Sequence, residues 1–236
     1  MAAVGLPLLL IALGVFWILL FPEGQKAWSS LWEGPKIKAE KEAIANLRKK
    51  KVLVITEPPE MHASSVGFQG VTLDDAVLAD TAKLYRIVSI NAGDTAITDA
   101  QLQSFASLPR LASLVLSGTS VGDTGLAHLR PLSSLEALHM AKTNVSDAGL
   151  STIAGFANLK VLDLSETKVT DAGLPKLTGM REVRWLLLAN TPITDAGLKS
   201  IAGMQNLGRL TIHGAKATPE GIKQIKAALP RLTVDE

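Results

Sequence analysis

Leu159-Lys160-Val161-Leu162-Asp163-Leu164-Ser165-Glu166-Thr167-Lys168-Val169-Thr170-Asp171-Ala172-Gly173-Leu174 is the stretch on which the architecture turns. Its apolar side chains change period partway. Leu162 and Leu164 alternate with variable residues, as in a short strand showing one face to a core. Leu174 and Leu177 are three apart, which is helical spacing, and Thr170 directly before Asp171 reads as a helix N-cap with an anion in the first turn. In steps of 24 the same residue types return without insertion from Ile87 through residue 222. The first inward column is Ile87, Leu111, Leu135, Leu159, Val183 and Leu207, and the second is Ile90, Leu114, Leu138, Leu162, Leu186 and Leu210. The third is Ala92, Leu116, Met140, Leu164, Leu188 and Ile212. Thr95, Thr119, Thr143, Thr167 and Thr191 follow in the turn, where their hydroxyls are expected to bond backbone in a ladder.

Each unit therefore reads as strand, turn and short helix. One unit alone cannot bury its leucines, so neighbours must stack, with a parallel sheet on the concave side and helices on the convex side. The pattern Leu-x-x-Leu-x-Leu-x-x-Thr-x-Val-Thr-Asp-Ala-Gly-Leu resembles the bacterial type of the leucine-rich repeat family. The resemblance covers about residues 83–232. It implies an α/β solenoid and protein recognition, and no chemistry. A weaker repeat (Val66, Phe68, Val71, Leu73, Asp75, Ala76, Leu78) keeps the register one step earlier, and Leu229 to Val234 restarts a strand as a terminal cap would.

The composition agrees with a stack of aliphatic layers: 47% apolar, 19% charged, and only four Trp, five Phe and one Tyr among 236 residues. No cysteine is present, which removes a disulfide framework, a thiol nucleophile, cysteine-ligated zinc and a lipoprotein anchor. From Ala2 to Phe21 the chain runs 20 residues without a charge, about 30 Å as a helix and so the thickness of a bilayer core. No basic segment precedes this run and no small-x-small cleavage site follows it at Phe21-Pro22-Glu23-Gly24, so an uncleaved single-pass anchor is expected. Trp28 and Trp32, one helical turn apart, are placed at the membrane-water boundary.

Lys36, Lys38, Lys41, Arg48, Lys49, Lys50 and Lys51 follow, against Glu33, Glu40 and Glu42. A basic block confined to this place faces lipid head groups rather than nucleic acid. Residues 36–51 predict a helix started by Pro35, with a thin apolar stripe of Ile37, Ile44 and Leu47 that can pack on a partner helix. The expected organisation is a transmembrane helix at 1–22, a solvated basic stalk at 23–51, a short strand and linker at 52–62, and the repeat domain at 63–236. Within that domain a degenerate repeat occupies 63–86, regular repeats 87–230 and a cap 231–236. Lysines after the span and none before it favour a cytoplasmic body; a periplasmic or extracellular body is the alternative.

Variable residues flanking the strand leucines point off the concave sheet. Among them Val161, Trp185 and Leu187 form an apolar cluster without an intramolecular reason to be apolar, and Val115, His139, Asp163 and Arg209 surround it. These seven are the candidate partner-binding residues. His139 and Asp163 stand one repeat apart with Ser165 nearby, but no strained Gly-x-Ser-x-Gly elbow accompanies them, so a hydrolase is the weaker alternative. His62, His128, His139 and His213 lack short metal-ligand spacing, and no cofactor is called for. The expected function is non-enzymatic: a membrane-anchored protein-interaction module, adaptor or accessory subunit of a larger membrane complex. A ligand-sensing receptor is the other alternative.

Overall fold

The computed structural model describes residues 22–57 and 62–236, with side chains from residue 35 onward. Nine strands form one sheet in sequence order: β1 Leu53–Glu57, β2 His62–Gly67, β3 Ser89–Asn91, β4 Ser113–Val115, β5 Ala137–His139, β6 Val161–Asp163, β7 Trp185–Leu187, β8 Arg209–Thr211 and β9 Thr233–Asp235. From β2 to β9 every pairing is parallel, and from β3 the register advances by 24 residues per strand, Leu138 facing Leu162 and Leu162 facing Leu186. The second inward column is wholly buried from Ile90 to Leu210, and the first and third columns are at most 4% exposed. The core is thus a stack of aliphatic layers, each shared by two neighbouring repeats.

Opposite the sheet lie α1 Pro22–Lys49, α2 Asp75–Thr81, α3 Asp123–His128, α4 Leu150–Ile153, α5 Asp195–Ser200 and α6 Pro219–Ala228. Tighter 3-10 turns cover Ala100–Phe105, Leu174–Leu177 and Ile201–Gly203. The α/β solenoid expected from the repeat is therefore present. Its convex elements alternate between α and 3-10 because each repeat leaves room for little more than one turn, where i→i+3 bonds suffice.

The threonine ladder forms as its spacing predicts. Thr95, Thr119, Thr143, Thr167 and Thr191 each donate to the carbonyl three residues earlier, at 2.5–2.7 Å. The aspartate column does something that local reading misses. Asp123 accepts from both the backbone N–H (2.9 Å) and the hydroxyl (2.6 Å) of Ser146 in the next repeat. Asp147 does the same for Thr170, Asp171 for Thr194 and Asp195 for Thr218. Thr194 and Thr218 cap their own helices, Thr194 accepting from Ala196 N–H at 3.2 Å, whereas the turns after Ser146 and Thr170 start later, at Leu150 and Leu174, without a side-chain cap. The aspartate, expected as a first-turn capping anion, is instead an inter-repeat staple. After Asp195 the column continues with Pro219, which has no carboxylate to act as a staple.

The N-terminal elements depart furthest from expectation. Pro35 does not start a helix but lies inside α1, where it removes one backbone donor without ending the run of helix formers. The segment expected as a solvated stalk turns its stripe inward: Glu40, Ala43, Ile44 and Leu47 are buried against α2, β1 and β2. Val54 pairs with Val66 in an antiparallel ladder, so β1 belongs to the sheet rather than to a linker, and only 58–61 falls outside the described residues in between. Arg48 Nη2 donates to the Val54 carbonyl at 3.3 Å, placing a cation on the free side of this edge strand. Lys50 is likewise turned to the body, 2.8 Å from Asp74. Part of the basic collar thus serves the fold. Among the described residues no helix is long and apolar enough to cross a membrane; the span expected over 2–21 lies outside them.

Candidate functional site

Because the middle residue of each three-residue strand is buried, its two neighbours must face away from the core. On β6, β7 and β8 this sets Val161, Trp185 and Arg209 side by side, in register. The next column runs Val115, His139, Asp163, Leu187, Thr211. All seven candidate residues therefore lie on one continuous face of the sheet. Trp185 is 51% exposed and Arg209 is exposed, while Val115, His139, Val161, Asp163 and Leu187 are half-buried by their neighbours. A rigid sheet holds an indole in the open here, and β-strand packing fixes its neighbours. Trp28 and Trp32 fall on α1, and their side chains are outside the described residues.

His139 Nδ1 and Asp163 Oδ2 stand 3.9 Å apart, an ion-pair distance and too long for a hydrogen bond. Asp163 Oδ1 instead accepts the Ser165 backbone N–H at 3.0 Å, closing a local turn at the strand end. Burial pushes the Asp163 carboxyl up, but His139 and the Ser165 donor together outweigh it and hold the group below its ordinary value. Asp163 is thus an anion of the face, tied to the strand end. Two cavities lie away from this face, one lined by Lys41, Ile44, Arg48 and Thr56 beside α1 and one by Asp75, Leu78, Gln101 and Ser104 on the convex side. Among the described residues no three His, Asp or Glu side chains gather where they could hold a metal ion.

Two features escaped the sequence reading. Leu53 is 61% and Ile55 50% exposed, and both flank the buried Val54 on the same face of β1. The alternation was visible in Leu53-Val54-Ile55, but which side would be buried depended on the pairing with β2. Arg184, exposed and immediately before Trp185, lies just outside the columns that flank the strand leucines.

Comparisons with known proteins agree with this architecture. The leucine-rich repeat family model matches residues 132–154 and 157–177, which contain β5 and β6 with the helical turns that follow them. No curated protein matches the chain in sequence. Among solved structures, an internalin from Listeria monocytogenes is similar with a TM-score of 0.59 at 22% identity, over 73% of this chain and 47% of that one. A leucine-rich repeat protein from Leptospira interrogans gives 0.54 at 18% identity, over 67% of this chain and 45% of that one. Internalin C2 from Listeria monocytogenes gives 0.51 at 18% identity, over 84% and 91%. The chain spans about half the length of the first two. At these identities the likeness is one of fold, and the fold is the leucine-rich repeat solenoid.

Proposed function

We propose that this chain is a non-enzymatic protein-interaction module that seats a partner protein on the open face of its sheet, centred on Trp185, Leu187 and Val161. The observation that carries the reading is the half-exposed Trp185, set beside Val161 on the neighbouring strand and Leu187 on its own, on a surface the fold does not cover. Tryptophan and arginine are over-represented among residues that dominate binding energy, and both are adjacent here. The leucine-rich repeat fold supports this reading, since it offers a long rigid surface on which single residues can be varied.

Trp185→Ala is expected to weaken partner binding by about 2 kcal/mol. The melting temperature should stay unchanged, because half of the side chain is already in water. Affinity purification of wild type and variant in mild detergent, followed by mass spectrometry, identifies proteins held by one and lost by the other. A variant that melts lower and keeps every partner would make Trp185 structural and move the site elsewhere.

The finer reading is of an adaptor or accessory subunit of a membrane complex, anchored through residues 2–21 with its body in the cytoplasm. The uncharged length of 2–21 and the lysines that follow it support this placement. The repeat body is then expected to resist protease added to right-side-out spheroplasts and to be digested after lysis. Digestion in intact spheroplasts would place the body outside.

A further inference from the structure

The residue just before each strand forms its own column in steps of 24: Val88, Ala112, Glu136, Lys160, Arg184 and Gly208. Neighbours in this column reach each other, as Lys160 Nζ lies 2.8 Å from Glu136 Oε2. That contact uses the column's one carboxylate. Arg184 has Lys160, a second cation, on one side and Gly208, without a side chain, on the other. Among the described residues no carboxylate comes within 4.0 Å of its guanidinium.

A second arginine stands beside Trp185 in the sheet. Arg209 pairs in register with Trp185 and gives its Nε–H to Asp235 Oδ2 at 2.7 Å. That carboxylate oxygen also takes the Thr211 hydroxyl at 3.2 Å. The terminal amino groups of Arg209 have no hydrogen-bond partner among the described residues. Trp185 thus has Val161 and Leu187 as apolar neighbours on the face, Arg184 before it on the strand-start side, and Arg209 beside it, whose guanidinium is drawn to Asp235 at the strand ends. Two anions, Asp163 and Asp235, stand at the strand ends, tied to Ser165 and to Arg209.

We propose that the occupant of this face is a protein segment in which an apolar anchor residue is flanked by a carboxylate, the anchor packing on Trp185 and the carboxylate held by Arg184. The proposal rests on the reading of the sheet face as the partner site and adds the partner's chemistry. A purely apolar segment would cover Arg184 and strip its water without replacing it, and a basic segment would add repulsion. A carboxylate supplies the missing counter-charge, and the planar guanidinium fork fits it with two parallel bonds. Arg184 stands before its strand while Asp163 and Asp235 stand at the strand ends, which orients the segment with its acidic residue toward the strand starts.

The test is selection from a random peptide library displayed on phage, against the immobilised full chain in detergent and against its W185A and R184E variants. Clones that bind wild type and fail on W185A are expected to carry Asp or Glu within a few residues of a Trp, Phe, Leu or Ile. On R184E these clones should bind at least about tenfold more weakly, and fresh selection on that variant should move toward Lys or Arg at the same spacing. Trp185-dependent clones without acidic enrichment, or equally tight on R184E, would overturn the carboxylate while leaving the face as a binding site. Selection yielding no Trp185-dependent clones would overturn both.

Discussion

His62→Ala is expected to lower the stability of the chain by about 3 kcal/mol, the order of loss when a buried acidic side chain is left without its hydrogen-bond partner. The reason lies in how α1 docks. Its buried stripe carries Ala43, Ile44 and Leu47 and also the Glu40 carboxylate, which is 1% exposed. Nδ1–H of His62, at the start of β2, donates to Glu40 Oε2 at 2.5 Å, while Oε1 has no hydrogen-bond partner. Taking the imidazole away leaves a buried carboxylate with neither oxygen satisfied.

E40Q/H62A should recover a good part of that loss, since an amide is less expensive to bury than an unpaired charge. Urea denaturation of the four chains of this cycle measures the coupling. Hydrogen exchange should show the opening confined first to α1 and the β1–β2 hairpin, because a repeat stack loosens locally at its ends. His62→Ala within about 1 kcal/mol of wild type, the worth of one hydrogen bond, would mean that the apolar stripe alone holds α1.

The sequence and the structure part company where partners are far apart in the chain. The inward columns were legible because each position carries one demand, to be aliphatic, repeated every 24 residues. That same register gave the sheet face, so Val161, Trp185 and Leu187 could be set side by side before any coordinates. The thin stripe on α1 was legible too, but its destination was not. Ile44 and Leu47 suit a lipid surface or a partner helix as well as a protein core, and the residue that settles the matter is His62, with Glu40 across from it. Glu40 counted in the reading only as one acidic residue in a basic block. Thr-Asp likewise resembles a cap when read locally, whereas the aspartate's partners lie in the following repeat. A signal did exist, since the aspartate column ends at Pro219, one repeat after its last use. Arg184 was passed over because its charge matters only through what its neighbours in the stack lack.

The staple explains one residue of the repeat that the sequence pattern records without a reason, the glycine two places after Asp123, Asp147, Asp171 and Asp195. A Cβ built on Gly197 would lie 2.3 Å from Asp171 Oδ1, and the equivalent approach is 2.3 Å at Gly173 and at Gly149. The carboxylate reaching forward to Thr194 passes through the space that a methyl group would occupy. In an ordinary short helix alanine improves on glycine by roughly 0.5–1 kcal/mol. Here Gly197→Ala is expected to destabilise by about 2 kcal/mol, because it displaces an anion that accepts two hydrogen bonds from Thr194.

Asp171→Ala should lose a similar amount, and the two losses should fall short of adding by more than about 1 kcal/mol, since each removes the same staple. Ile193 Cγ2, 2.9 Å from that Cβ position, keeps the double variant from full recovery. Additive losses would show that the carboxylate and the glycine act separately. The Asp171 staple joins the repeat of β6 to the repeat of β7, and so Val161 to Trp185. Its removal should therefore weaken peptide binding at Trp185 together with stability, whereas the corresponding Asp123→Ala, cut into the stack between β4 and β5, should lower stability and leave that binding in place.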